Sequence, residues 1–447
     1  MTEPPQQEGF KRQNDVEIGS IFLIKNDGKS VDVSNLVMRI DIFEDIYSHF
    51  LTALAVLSDG MGIRTHFPIS GNEQLKFSYK TPGIGAEMET LTMNVVSITK
   101  REINKNNLTE TYELELQSNT SIIDKSVKIS KAYSGTISDI VENMLSDVSP
   151  SANFSYEPSV GEYKFTIPNM GLSEAIKMVT KHAVNKEGSP NYVFYETVRG
   201  FIFQSIGNMS KEDPARDYNN KLPGVKLNRD SMIDQFNKIQ DIQIEEDFNI
   251  DRDLKSGTIG SRLVTHDLIS KTVSGKNFNY IQDFDQYQHV NGKRKIPLNG
   301  RYDFVFGAKH IFMPKASLNH GEMFDQNQNY EEFIQAGIST RQSWVGDRVL
   351  IKASGDSRMR PGYVVNASMP STEPKKNLNS ENYEDKYTSG RYVVTSIRHQ
   401  LINTGIKEYT NTLELSRDSL PIGVPTEKIF EGDLEAGQGE EGILENG

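Results

Sequence analysis

Cysteine is missing from this chain of 447 residues. Its absence excludes disulfide frameworks, thiolate zinc sites and cysteine nucleophiles together. Tryptophan occurs once, at Trp344, which suits a core or interface anchor better than a sugar-stacking platform. No run of about 18 apolar residues is present, so no membrane-spanning helix and no stable membrane insertion is expected. The opening stretch "MTEPPQQEGFKRQND" lacks the apolar segment of a secretory leader. Basic clusters are missing too. The formal charge is −12, and the last 27 residues hold seven acids against Lys428 alone. A chain that grips nucleic acid needs Lys and Arg against the phosphates, so stable binding is not expected. A surface past which DNA slides is compatible with this charge, because like charges repel.

Catalytic signatures are equally scarce. There is no GxSxG, no GxxxxGK[ST] and no HExxH. The histidines His49, His66, His182, His266, His289, His310, His320 and His399 form no pair at helical ligand spacing. His266 in "VTHDL" and His399 in "IRHQL" fall in strand patterns and are read as hydrogen-bonded structural imidazoles rather than as ligands or bases. "DFNIDRD" from Asp247 has oxygen-bearing residues at alternate positions, as a calcium loop does. Its sixth position is Arg252 in place of Gly and its twelfth is Thr258 in place of Glu, so it is read as a solvated loop. The acid pairs Glu44-Asp45 and Glu245-Glu246 would serve a glycosidase only at a set separation across a groove. No catalytic residue, metal ligand or cofactor is assigned.

What the chain does have is a repeat. "VVSITKREINKNNLTETYELELQS" from Val95 and "VTSIRHQLINTGIKEYTNTLELSR" from Val394 align without a gap at an offset of 299, with nine identities over 27 positions. The shared pattern predicts a strand, a turn and a second strand. Val95, Ile98, Leu114 and Leu116 in one copy match Val394, Ile397, Leu413 and Leu415 in the other, and these eight are the candidate assembly positions. Leu114 and Leu116 point one way and Glu115 the other, as do Leu413, Leu415 and Glu414. "GNEQLKFSYKTP" from Gly71 and "GYVVNASMP" from Gly362 form a weaker second correspondence. Doubling suggests a job: three such chains around an axis present six similar units, able to meet a six-fold ring on one face and a three-fold object on the other.

The length implies about two to four domains. Residues 1–15 are read as a disordered N-terminus and 16–125 as a first antiparallel barrel. Within it "FEDIYSHFLTALAVLSD" stays open, since its apolar residues sit at helical spacing while "LTALAVL" also fits a buried strand. Residues 126–230 read as a peripheral α+β domain. "SGTISDIVENMLSDVSP" predicts a helix capped by Ser134 or Thr136, "MGLSEAIKMVTKHAV" a second helix burying Leu172, Ala175, Ile176 and Val179, and "NYVFYETVRGFIFQSI" two strands about Arg199-Gly200. Residues 231–245 and 341–420 read as a second barrel, 246–340 as an inserted domain whose polar stretch runs to about residue 340, and 421–447 as an acidic tail. The fold class is α+β, mainly β, with two duplicated tube-type antiparallel barrels and inserted α+β domains.

"LIKASGDSRMRPGYVVNASMPS" from Leu350, "SGRYVVTSIRHQL", "YTNTLELSRDS", "FEDIYSHFLTALAVLSDG", "YVFYETVRGFIFQS" and "GTIGSRLVTHDL" together resemble the baseplate hub protein of contractile-tailed bacteriophages, an architecture related to the base of type VI secretion spikes. The resemblance spans about Val37 to Asp418 and brings no catalytic signature. It implies a structural virion protein of the tail baseplate, assembled in the host cytoplasm, and a homotrimer whose paired barrels form a pseudo-six-fold cylinder. The implied partners are the hexameric tail tube, the trimeric central spike, and the baseplate wedge and tape-measure proteins, with DNA only passing through the channel. A cell-wall polysaccharide hydrolase and a carbohydrate-binding β module of a phage tail are the alternatives.

Overall fold

The computed structural model describes residues 12–106, 108–220, 229–246, 248–268, 270–295, 308–315, 330–371 and 384–423. The acidic tail from residue 424, Asp247 and His320 lie outside them. The fold is mainly β, with large antiparallel sheets.

A sheet of 14 strands forms the body. Six of its strands pair in the order Val37–Asp45, Thr52–Asp59, Thr109–Gln117, Glu89–Asn104, Glu73–Lys80, Phe22–Lys25. Six others pair in the order Ile239–Glu246, Arg348–Ser354, Glu408–Ser416, Gly390–Ile402, Val364–Ala367, Arg216–Tyr218. The two paths correspond step by step. They differ at the last, where Phe22–Lys25 runs antiparallel to its neighbour and Arg216–Tyr218 parallel. The second path returns on itself, because Asn219 bridges Lys238 and its carbonyl accepts the Ile239 amide at 2.9 Å. The two sets are joined directly: Gly390–Ile402 pairs antiparallel with Val37–Asp45, from Ser396 opposite Asp45 to Ile402 opposite Arg39.

Local chemistry explains the strands. The segment left open between helix and strand is two strands, and an Asx turn separates them: the Tyr47 amide donates to Asp45 Oδ1 at 2.7 Å. In Thr52–Asp59 every second residue is buried, placing Ala53, Ala55 and Leu57 inside. Period-two burial across both faces of a tight sheet overrides the helical spacing of the apolar residues. Residues 12–15, expected to be disordered, touch the second set, since the Tyr409 amide donates to Asn14 O.

The segment after Asn119 builds a module with a core of its own. Ile137–Val148 is capped by Thr136, whose hydroxyl accepts the Asp139 amide, and Leu172–Thr180 buries Leu172, Ala175, Ile176 and Val179. Tyr192–Thr197 and Gly200–Ser205 form a hairpin, and Phe154–Tyr156 adds parallel to it.

Further on, Gly260–Asp267 pairs with Val273–Asn279 and with His310–Lys315. Residues 250–256, read as loop, form a helix, because Asn249 caps it by accepting the Arg252 amide and Gly257 ends it in the left-handed region at φ 87°. The polar stretch read to about residue 340 also ends in a helix, Tyr330–Val345. Its polar side chains face inward: Gln335 donates to Ser261 O at 3.0 Å, and the Ser339 hydroxyl donates to Thr258 O. A pattern scored on apolar residues alone misses such a helix.

Candidate assembly surface

The repeat-strand positions are brought together in two hairpins whose registers match as far as Thr99 and Arg398; beyond them the first hairpin alone has a further bulge, between Thr99 and Glu102. Val95 lies opposite Leu116, Ser97 opposite Glu115 and Ile98 opposite Leu114; Val394 lies opposite Leu415, Ser396 opposite Glu414 and Ile397 opposite Leu413. Each hairpin carries a bulge at the same step, leaving Val96 in one and Thr395 in the other unopposed. A hydroxyl beside each bulge donates to the matching glutamate, Ser97 to Glu115 and Thr395 to Glu414. Bulges also match in the strands leading into each path, between Val37 and Arg39 and between Ile239 and Asp241.

All eight positions face inward. Val95, Leu114 and Leu116 are buried in the first core, with Ile98 packed against it, while Val394, Ile397, Leu413 and Leu415 belong to the second. They fix the hairpins, and the outward surfaces belong to other residues. Beyond Thr99 the first hairpin leaves the body: residues 100–106 are exposed, Ile103 by 58% and Leu108 by 82%. The second hairpin is covered at the same place. Asn403 Nδ2 donates to Ser34 O at 2.8 Å and Val37 O at 3.0 Å, and its amide donates to Met38 O. Leu401 and Tyr409 complete the first core from the second set.

A buried charge cluster sits where the two strand sets and the helical module meet. Glu89 Oε1 accepts from Arg360 Nη2 at 2.8 Å and from Arg199 Nη2 at 2.7 Å, so one carboxylate holds the first set, the second set and the module. Arg360 also donates to Ser357 O and Met359 O at 2.7 Å each. It belongs to the loop "SGDSRMRPG", which is locked to the first set by two reciprocal bonds. The Ser357 amide donates to Thr81 Oγ1 at 3.0 Å, and the Thr81 amide to Ser357 Oγ at 3.2 Å. Glu44 Oε1 accepts the Val198 amide at 3.1 Å, while Oε2 is buried with no hydrogen-bond partner. His399 Nε2 lies 3.7 Å from Glu44 Oε1, and Nδ1 lies 2.6 Å from Tyr409 Oη.

Burial pushes the Glu44 carboxyl up to about 7, against the pull of Arg360. It pushes His399 down to about 3, and Arg360 adds to that depression. Nearby Glu196, which accepts the Leu51 amide at 2.9 Å, is also raised by burial to about 7. His399 is thus a neutral packed imidazole at ordinary pH. Glu44, a member of one acid pair, is enclosed in the interior and lines no groove. Sequence reasoning considered His399 but missed Glu44, Glu89, Arg199 and Arg360 as partners, whose assembly depends on strand pairing between distant segments. Trp344 is buried in a fourth core beside Tyr195, Val290 and Val393. Among the described residues there is no group of three or more His, Asp or Glu able to hold a metal ion, and no helix long and apolar enough to cross a membrane.

The fold is similar to that of two tail proteins of known structure. The tail protein from Neisseria meningitidis MC58 is similar at a TM-score of 0.52 and 10% identity, over 89% of this chain and 96% of that one. The 43 kDa tail protein of prophage MuSo2 from Shewanella oneidensis is similar at a TM-score of 0.52 and 9% identity, over 90% of this chain and 100% of that one. No protein-family model matches the chain, and no curated protein matches it.

Proposed function

We propose that this chain is a structural, non-enzymatic component of a contractile phage tail, the hub of its baseplate. Three copies form a ring in which six similar strand sets meet the hexameric tail tube on one face, while the other face carries the trimeric central spike. Wedge and tape-measure proteins are further partners, DNA passes through the channel without being held, and the assembled location is the virion tail. The eight inward repeat positions act indirectly in this reading, by holding each hairpin in the shape its neighbour meets.

One observation carries the proposal: a path of six strands occurs twice in one chain, alike in its first four pairings, with bulges at matching steps in two of its strands. A duplicated unit inside a three-fold assembly turns three-fold into approximate six-fold symmetry. The tail-protein fold over nine-tenths of the chain supports the same setting. The burial of Glu44 weakens the case for a carboxylate-pair hydrolase built on Glu44-Asp45.

Light scattering on the purified chain, alone and with a candidate spike protein, tests the reading. A mass near three times 50.4 kDa is expected, and negative-stain images should show a ring. A monomer under both conditions, or a clearing zone on cell-wall substrate, would overturn it.

A further inference from the structure

We propose that the bare edge of Glu89–Asn104 over residues 97–103 receives the Ile239–Glu246 strand of a second copy of this chain, antiparallel, with Glu102 opposite Gln243. The proposal rests on the hub reading and names the contact that closes the ring.

The argument starts from a junction already present inside one chain. Gly390–Ile402 uses one edge for two neighbours: residues 390–393 pair with Val364–Ala367, and residues 396–402 pair with Val37–Asp45. Glu89–Asn104 repeats half of this. Its residues 89–94 pair with Glu73–Lys80, while residues 97–103 have no strand on that edge among the described residues. The missing neighbour should be the counterpart of Val37–Asp45, and the pairing path identifies it. Asp41 opposes Leu54, which opposes Glu115. Gln243 opposes Leu350, which opposes Glu414, the repeat equivalent of Glu115. Ile239–Glu246 therefore holds the place of Val37–Asp45 in its own set, and among the described residues no strand pairs with its outer edge. Gln400 lies opposite Asp41 and, across its own hairpin, opposite Thr410. Thr111, the repeat equivalent of Thr410, lies opposite Glu102, because the first hairpin has an extra bulge between Thr99 and Glu102, so the pairing path puts Glu102 opposite Gln243 between chains.

The two bare edges also suit each other chemically. Ile103 is 58% exposed on one and Ile244 56% on the other. Lys100, Arg101 and Lys105 outweigh Glu102 and leave the first a net basic outer strip, and Asp241 and Glu245 give the second an acidic one. Lys100 and Arg101 also bridge Glu113 and Glu110 of their own hairpin. An unpaired edge with exposed isoleucines favours strand addition. One chain cannot satisfy both edges by itself in this arrangement, since each needs the other's counterpart. Three chains in a closed ring satisfy all of them, with three internal and three intermolecular junctions alternating.

The cysteine-free chain makes the register testable by crosslinking. Opposed residues on antiparallel strands have Cα atoms roughly 4.5–5.5 Å apart, within the range of a disulfide. The double variant Glu102→Cys, Gln243→Cys, oxidised and run on a non-reducing denaturing gel, should give a ladder of covalent dimer and trimer. Glu102→Cys with Gln240→Cys, out of register by roughly 10 Å, should remain monomeric on the same gel. As a second route, Lys100→Glu with Lys105→Glu should weaken assembly at least about ten-fold in a concentration series, and adding Asp241→Lys with Glu245→Lys should restore it. If light scattering finds a trimer while neither the crosslink nor the charge exchange responds, this contact is overturned and the hub reading stands. A chain that stays monomeric throughout overturns both.

Discussion

Glu44 is held in the folded chain at a cost that depends on pH. Its Oε1 has the Val198 amide, its Oε2 has no hydrogen-bond partner, and the nearest imidazole is neutral. Burial raises its pKa from 4.5 to about 7, so the folded state binds this proton more tightly than the unfolded chain does. The contribution is fully present below about pH 4.5 and is lost as pH rises through about 7. The expected result for Glu44→Gln is added stability above pH 7, on the order of 3 kcal/mol at most, and little change near pH 4.5. Urea midpoints at pH 4.5, 6 and 8 would check it, and an equal shift at all three would contradict the assignment. His399 behaves in the opposite sense. Its depressed pKa means stability is present above about 6.5 and lost as pH falls toward about 3, with a slope of about 1.4 kcal/mol per pH unit. His399→Gln should flatten that acid limb in a pH titration of stability. A limb of unchanged slope would place the acid sensitivity elsewhere.

At the scale of elements, the matched hairpins predict matched losses. Leu116 and Leu415 occupy the same step of the two paths, each buried in its own core. Truncating either to alanine should cost about 2–5 kcal/mol, and equilibrium unfolding should show the two variants equally affected to within about 1 kcal/mol. The loop that precedes Arg360 has a tighter constraint. A Cβ at Gly355 would lie 2.2 Å from the Tyr409 ring, whose hydroxyl meets His399. Gly355→Ala is expected to destabilise by about 1–3 kcal/mol through displacement of that ring; a neutral result would show that Tyr409 moves freely.

These elements also show what a sequence displays and what it hides. The leucine–glutamate–leucine alternation made the two hairpins, and the inward direction of Leu114 and Leu413, readable. The helices Ile137–Val148 and Leu172–Thr180 were readable for the same reason, because one apolar face repeats along each. The bulges were not, since Val96 and Thr395 look like any other strand residues. Tyr330–Val345 stayed hidden because Gln335 and Ser339 are its buried contacts. The charge cluster was the least visible: Glu89 and Arg360 are 271 positions apart, and their surroundings meet through the pairing of Val37–Asp45 with Gly390–Ile402 and the bonds between Thr81 and Ser357.

For the whole molecule, the question is whether the strand sets and the helical module unfold together. The first core needs Leu401 and Tyr409 from the second set. The fourth core takes Ile46 from the first set, Tyr195, Ile206 and Met209 from the module side, Val290 and Trp344 from the later segments, and Val364 and Val393 from the second set. Glu89 ties Arg199 and Arg360 across the same region. The second set and the module each have a core of their own, but both also contribute to the fourth core, which couples them to the first set. The sole tryptophan therefore reports on the common joint. Its emission should be blue-shifted in the native chain, and in urea its red shift should coincide with the loss of the far-ultraviolet β signal in one transition. Val393→Ala removes apolar contacts from this joint and should move both probes to lower urea by the same amount. Probes that separate, with Trp344 exposed while the β signal persists, would mean that the strand sets hold together without the fourth core and that the joint is a hinge.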